Sequence, residues 1–257
     1  MHRRGSRLAA AVLITAGTLG LVGCGGQPAG SGTSAPPPSA SAAPTPTPTP
    51  SASPAEQGCP PNDASVPSDA DIASIEDVDG DGRPDEEFYT EEGVDGAGFQ
   101  YGIRTASGAV ITLKDDLAGP GVHSGWTSKR QSAIVTVLDD GRTATLHAFL
   151  DCGFVVTLNE QGQPYTFGLN GFSDAGTGVK CTDENGGPLL AGVLAARQAD
   201  GTYTITGTIV HPLDGGTSAR NESSFDIASG LPEGDPQVKL AMTSTCGDVP
   251  KVGTSGK

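Results

Sequence analysis

Between Asp77 and Asp85 the chain reads Asp-Val-Asp-Gly-Asp-Gly-Arg-Pro-Asp. Asp77, Asp79, Asp81 and Asp85 place carboxylates at loop positions 1, 3, 5 and 9, Gly82 stands at position 6, and the main-chain carbonyl of Arg83 is offered at position 7. A cation such as calcium takes six to eight oxygens at about 2.3–2.6 Å. Alternate residues can turn their oxygens to one side, and glycine lets the backbone bend sharply around an ion. Four carboxylates this close repel one another unless a cation lies among them. The spacing predicts a structural calcium site made by Asp77, Asp79, Asp81, the Arg83 carbonyl and Asp85. Position 12 is Phe88, so the bidentate glutamate of an EF-hand is missing. The competing reading is a solvated acidic turn, since Asp and Gly favour turns in any case.

Four of the five cysteines, Cys59, Cys152, Cys181 and Cys246, lie beyond residue 57. An even set in an exported chain predicts two disulfides, and four cysteines allow three pairings. The favoured pairing joins Cys59 to Cys246, tying the ends together, and Cys152 to Cys181, closing a shorter loop. With no close cysteine pair and no spaced histidine pair, zinc is disfavoured. His123, His147 and His211 are isolated. Nucleophile-elbow, His-Glu-x-x-His and phosphate-loop motifs are all missing, so no catalytic residue is assigned. His147 alternates with apolar neighbours as a packed strand histidine would. Trp126, between Gly125 and Thr127, reads as a core anchor before a ligand platform.

Charge divides the chain into three parts. Fifteen basic and thirty acidic residues give a net −15. Residues 1–23 hold Arg3, Arg4 and Arg7 and no acid, residues 24–55 hold no charged side chain, and the remainder therefore carries −18. No basic face is available for nucleic acid. The basic start precedes an apolar stretch, Leu8 to Leu21, ending in Leu21-Val22-Gly23-Cys24. Here the sequence resembles a bacterial lipoprotein precursor with its lipobox. The resemblance implies a signal peptide over 1–23, cleavage before Cys24, and acylation of the Cys24 thiol, hence palmitate-type labelling and a lipid anchor on the outer, extracytoplasmic face of the cell membrane. Residues 24–57 follow as a disordered tether rich in Pro, Ser and Thr, including Pro36-Pro37-Pro38 and the Pro-Thr alternation from Pro44 to Pro50. Such a composition cannot bury enough apolar surface to order itself, and favours polyproline II.

The elements that would position these groups are strands. Phe99–Thr105 and Ala109–Lys114 flank Ala106-Ser107-Gly108. Ser132–Leu138 and Thr143–Leu150 flank Asp139-Asp140-Gly141-Arg142. Phe154–Leu158 and Tyr165–Leu169 flank Asn159-Glu160-Gln161-Gly162. Thr202–His211 alternates as a half-buried strand, Gln237–Thr243 reads as a closing strand, and Leu189–Gln198 fits helix or strand. Residues 58–257 are therefore expected to be all-β, an antiparallel sandwich or partial propeller-like domain. The acidic loop followed by Glu87-Phe88-Tyr89 resembles the calcium loop of FG-GAP/VCBS-type repeats over residues 70–165, which implies calcium held between neighbouring strands. Asp140-Gly141-Arg142 repeats Asp81-Gly82-Arg83 59 residues on, but Thr136, Leu138 and Ala144 replace the other acids, so no second metal site is expected. Two function classes result: a binding or structural module at the envelope, with a cell-wall polymer or envelope protein as partner, or a secreted hydrolase of carbohydrate or envelope polymer needing two carboxylates about 5–10 Å apart in a groove.

Overall fold

The computed structural model describes residues 58–93, 98–117, 121–172, 174–183 and 188–254. The chain divides into residues 1–49 and 50–257, and everything described belongs to the second unit. The signal peptide, Cys24 and the tether lie outside the described residues.

The described chain is almost entirely antiparallel sheet. β1 (Asp71–Ile75), β2 (Asp85–Thr90), β3 (Gln100–Arg104) and β4 (Val110–Lys114) form a four-stranded meander. β5 (Ser124–Arg130), β6 (Ala133–Asp139), β7 (Thr143–Leu150) and β8 (Gly153–Val156) form a second meander, with β9 (Thr166–Gly168) also paired to β7. β10 (Asn170–Phe172), β11 (Ala175–Thr182), β12 (Leu189–Arg197), β13 (Tyr203–Leu213) and β14 (Ser218–Leu231) form the third. Helix α1 (Pro236–Leu240) follows. β15 (Ser244–Thr245) then runs parallel to β11, and β16 (Val252–Gly253) returns to the edge of the second sheet beside β5.

The second sheet is covered on both faces. Side chains alternate along a strand. In β6, Val135 and Val137 join a core with Trp126, Leu146, Phe167, Val179, Leu190 and Val210 of the second and third sheets. Ile134 and Leu138 face the other way, into a core with Ile75, Tyr89, Tyr101, Ile103 and Phe149. Strands hidden on both faces read as apolar runs with little polar alternation, and Ala-Ile-Val-Thr-Val-Leu in β6 has that character.

The turns form where the turn residues lie, and β3–β4 and β6–β7 pair as predicted, whereas β8 and β9, on either side of residues 159–162, each pair with β7 and not with each other. Gly108 N–H donates to Thr105 O at 2.9 Å, Asp140 N–H to Thr143 O at 3.2 Å, and Asn159 N–H to Gln163 O at 2.8 Å. The ambiguous segment 189–198 is strand β12. Gln237–Thr243 is not a closing strand. Asp235 caps a helix by accepting from Gln237 N–H, and Pro236 occupies its start. Val238 and Ala241, three apart, both pack on Val193, Ala195, Tyr203 and Ile205 of the third sheet. β5, β11 and β14 carried no strand signal, being polar or glycine-rich.

The cysteine pairing also differs from the one favoured by sequence. Cys59 bonds Cys152, with Cα atoms 5.6 Å apart, and Cys181 bonds Cys246, at 4.5 Å. The first bridge ties the start of the domain to the β7–β8 turn, and the second ties β11 to the segment after β15. The two ends are not tied together because the N-terminal segment lies on the first sheet, whereas Cys246 follows a strand added to the third.

Candidate metal centre

The acidic loop spans the β1–β2 connection, where two strands entering at fixed register force it into a tight turn. Asp77, Asp79 and Asp85 offer carboxylate oxygens that all lie within 4.8 Å of one another. Their orientation comes from backbone donors. Asp77 Oδ1 accepts from Gly80 N–H at 2.7 Å and Oδ2 from Gly82 N–H at 2.9 Å. Asp79 Oδ1 accepts from Asp81 N–H at 3.2 Å. Buried Asp85 accepts from Val78 N–H and Ala106 N–H, both at 2.8 Å. Gly82 has φ +81°, a conformation that side chains other than glycine rarely adopt.

Asp81 does not join the three. Its carboxylate turns to Arg83, accepting from Nη2 at 2.6 Å, from Nε at 3.0 Å and from the Arg83 N–H at 2.8 Å. The hydrogen bond from Arg83 lowers its pKa, with a neighbouring positive charge adding to the effect. A side chain that can pair two residues away within its own turn needs no ion, which the spacing alone could not weigh. The Asp85 carboxyl is pushed up, first by burial and then by the charges of Asp79 and Asp77, against the two backbone hydrogen bonds. Each oxygen that accepts one N–H retains a second lone pair. The donor set of Asp77, Asp79 and Asp85 is therefore all hard oxygen and fits calcium or another hard divalent cation.

Two supports of this loop had no signal in its spacing. Cys59 N–H donates to Asp79 Oδ2 at 2.8 Å, so the first disulfide is fastened to the loop. Gly58 passes so close that an added Cβ would stand 2.4 Å from Asp79 Oδ2. The β3–β4 turn closes the other side through Ala106 and through Ser107, whose hydroxyl reaches the Cys59 carbonyl.

The second Asp-Gly-Arg turn is capped differently. Asp139 accepts from Gly141 N–H, and Asp140 from Arg142 and Thr143 N–H. Asp139 also pairs with Lys251 at 2.8 Å.

Polar groups also lie between the first two sheets. Glu87 is fully buried, accepting from Tyr101 Oη and from Thr127 N–H at 2.8 Å, while its second oxygen has no partner. Burial raises its carboxyl to about 8, against those hydrogen bonds. Tyr101, Thr127 and Thr136 continue a chain of hydroxyl contacts at 2.6 Å. His147, opposite Thr136, has a buried Nδ1 with no partner, and burial lowers its pKa to about 4. His123 and Tyr89 both contact Asp115 Oδ2, at 2.9 and 2.6 Å. Trp126 is buried and donates from Nε1 to Ser244 Oγ at 2.9 Å, as a core anchor.

A cleft of about 510 Å³ opens elsewhere, lined by Ser74–Glu76 at the end of β1, by Thr127, Ser128 and Arg130 of β5, and by the Cys181–Cys246 bridge with its flanking residues. Among the described residues its acids are Glu76, Asp183 and Asp248. Among the described residues no helix is long and apolar enough to cross a membrane. Comparison with protein-family models, curated proteins and solved structures finds no match to this chain.

Proposed function

We propose that this chain is a lipoprotein anchored through Cys24 to the outer face of the cell membrane, whose calcium-stabilised β-domain serves as a binding or structural module at the envelope. The observation that carries the calcium part is the convergence of Asp77, Asp79 and Asp85 on one point. The anchor is supported by the basic start, the Leu21-Val22-Gly23-Cys24 sequence and the uncharged Pro-Thr-Ser tether that follows. Two acyl chains hold a protein stably at a bilayer, and a tether of some 33 residues reaches on the order of 100 Å when extended as polyproline II. The module reading is supported by the position of the acids in the loop, where they brace β1, β2 and the β3–β4 turn and are not displayed in the cleft. Calcium there joins carboxylates that would otherwise repel.

Melting of the full-length protein in chelator and in millimolar calcium tests the metal. The expected result is a rise of several degrees with calcium that Asp79→Asn abolishes. An unchanged midpoint in the wild type overturns it. Metabolic labelling with a palmitate analogue tests the anchor, which fails if the wild type takes no label or if Cys24→Ala labels equally. The hydrolase reading draws support from the cleft containing Glu76, Asp183 and Asp248, and turnover of an envelope glycan, lost in Glu76→Gln, would favour it over the module.

A further inference from the structure

Arg130, at the end of β5, is buried, and its Nη2 lies 2.7 Å from Cys246 Sγ. Its Nε is buried with no hydrogen-bond partner. Among the described residues no carboxylate forms an ion pair with it, and burial lowers its pKa, against the more distant charges of Glu76 and Asp183. A desolvated cation with no anion is costly, and here it is aimed at one sulfur of a bridge. That bridge lines the cleft, with Cys181 partly exposed and Cys246 buried.

The two disulfides differ in this respect. Cys59–Cys152 borders a pocket shared with Asp79 and Asp151, and among the described residues none lining that pocket is a cation. An anion beside a sulfur disfavours a thiolate there, and a guanidinium favours one. Exchange is fastest when the leaving sulfur is the better-stabilised thiolate.

We propose that Cys181–Cys246 is an exchange-active disulfide opened by a dithiol reductant entering the cleft. The reductant's thiolate attacks Cys181 Sγ. The Cys181–Cys246 bond breaks, and its electron pair leaves on Cys246 Sγ, which Arg130 holds as thiolate. The second thiol of the reductant gives up its proton and attacks the mixed disulfide, forming the reductant's own disulfide and releasing Cys181 as thiolate, which takes up a proton. The bridge is thereby reduced by two electrons and the reductant oxidised by two. Opening releases the Gly247–Pro250 wall of the cleft from β11. It is felt two residues away, at the Trp126–Ser244 hydrogen bond, so the chain's single tryptophan reports it. Among the described residues, Arg130, Glu76, Asp183 and Asp248 are the charged groups lining the cleft with the bridge, and Lys251 reaches the Ser244 carbonyl beside it.

The test uses the folded full-length protein, treated with dithiothreitol without denaturant, quenched by alkylation and mapped by peptide, with Cys24 ignored. The expected order is Cys181 and Cys246 labelled together at least ten-fold faster than Cys59 and Cys152, in step with a change in Trp126 fluorescence. A monothiol pulse is expected to leave its adduct on Cys181 and the alkyl group on Cys246. Arg130→Met is expected to slow opening about ten-fold and, once the bridge is open, to shift the pH profile of Cys246 alkylation alkaline, with Arg130→Lys intermediate in both. Equal opening of both bridges, opening only on unfolding, or the adduct on Cys246 overturns the proposal. The wild-type order and adduct position are read without any variant, so a misfolded Arg130→Met leaves the test decisive.

Discussion

Asp79 is the residue on which the acidic loop turns. One oxygen faces its own turn and the other holds the Cys59 N–H. Asp79→Ala is expected to cost about 1–2 kcal/mol even in chelator, because a donor loses its charged acceptor, and to lose the calcium-dependent increment as well. Denaturant titration in chelator separates the two effects. Asp81→Ala is expected to cost far less and to retain most of the calcium response, since Asp81 is engaged by Arg83. Calorimetric titration with calcium checks this. Two groups desolvated by the fold make its stability depend on pH. His147, held at about 4 in the folded chain, contributes stability that is present above its unfolded value of 6.5 and lost as pH falls through about 4. Glu87, raised to about 8, contributes stability present below 4.5 and lost as pH rises through about 8. Melting in chelator is therefore expected to show a plateau at about pH 4.5–6.5, between the two unfolded values, falling on either side. His147→Leu flattens the acid limb and Glu87→Gln the alkaline one, since a glutamine oxygen still accepts from Tyr101 and Thr127.

Among the elements, the β1–β2 connection works because two other segments close on it. The Gly58–Cys59 segment covers one side and the β3–β4 turn the other. Gly58→Ala, with no room for its Cβ, is expected to lower both stability and calcium affinity, although it removes no ligand. Matched melting with and without calcium reads both. Helix α1 is too short to persist alone, and Val238 and Ala241 pin it to the third sheet. Val238→Ala is expected to cost about 2 kcal/mol in denaturant unfolding, and its effect on calcium binding should be negligible. By sequence the segment reads as a strand because Val238, Leu240 and Met242 alternate. The capping Asp235 and Pro236 decide for helix.

For the whole molecule, three sheets share two cores through the doubly covered second sheet. The Cys59–Cys152 bridge closes a separation of 93 residues, for which the chain-entropy model gives about 4–5 kcal/mol. Cys59→Ala with Cys152→Ala is expected to lower stability by about that amount and to weaken calcium binding, because the bridge lies against the ion loop. Chemical denaturation with and without calcium measures both losses.

What the sequence determined by itself was local. The β3–β4 and β6–β7 hairpins follow from turn residues set between alternating runs, and the acidic loop is legible because its carboxylates fall within nine residues. A turn's conformation depends on its own side chains and a few backbone donors, all adjacent in the chain. Only the tertiary structure decided that Asp81 leaves the cluster, that Glu87 is buried, that Cys59 meets Cys152 and that Arg130 meets Cys246. Asp81 is claimed by Arg83 within its own turn; the other three depend on which faces of which sheets come together. That choice is made by apolar burial summed over segments far apart in sequence, a non-directional force that leaves no motif at the positions it joins.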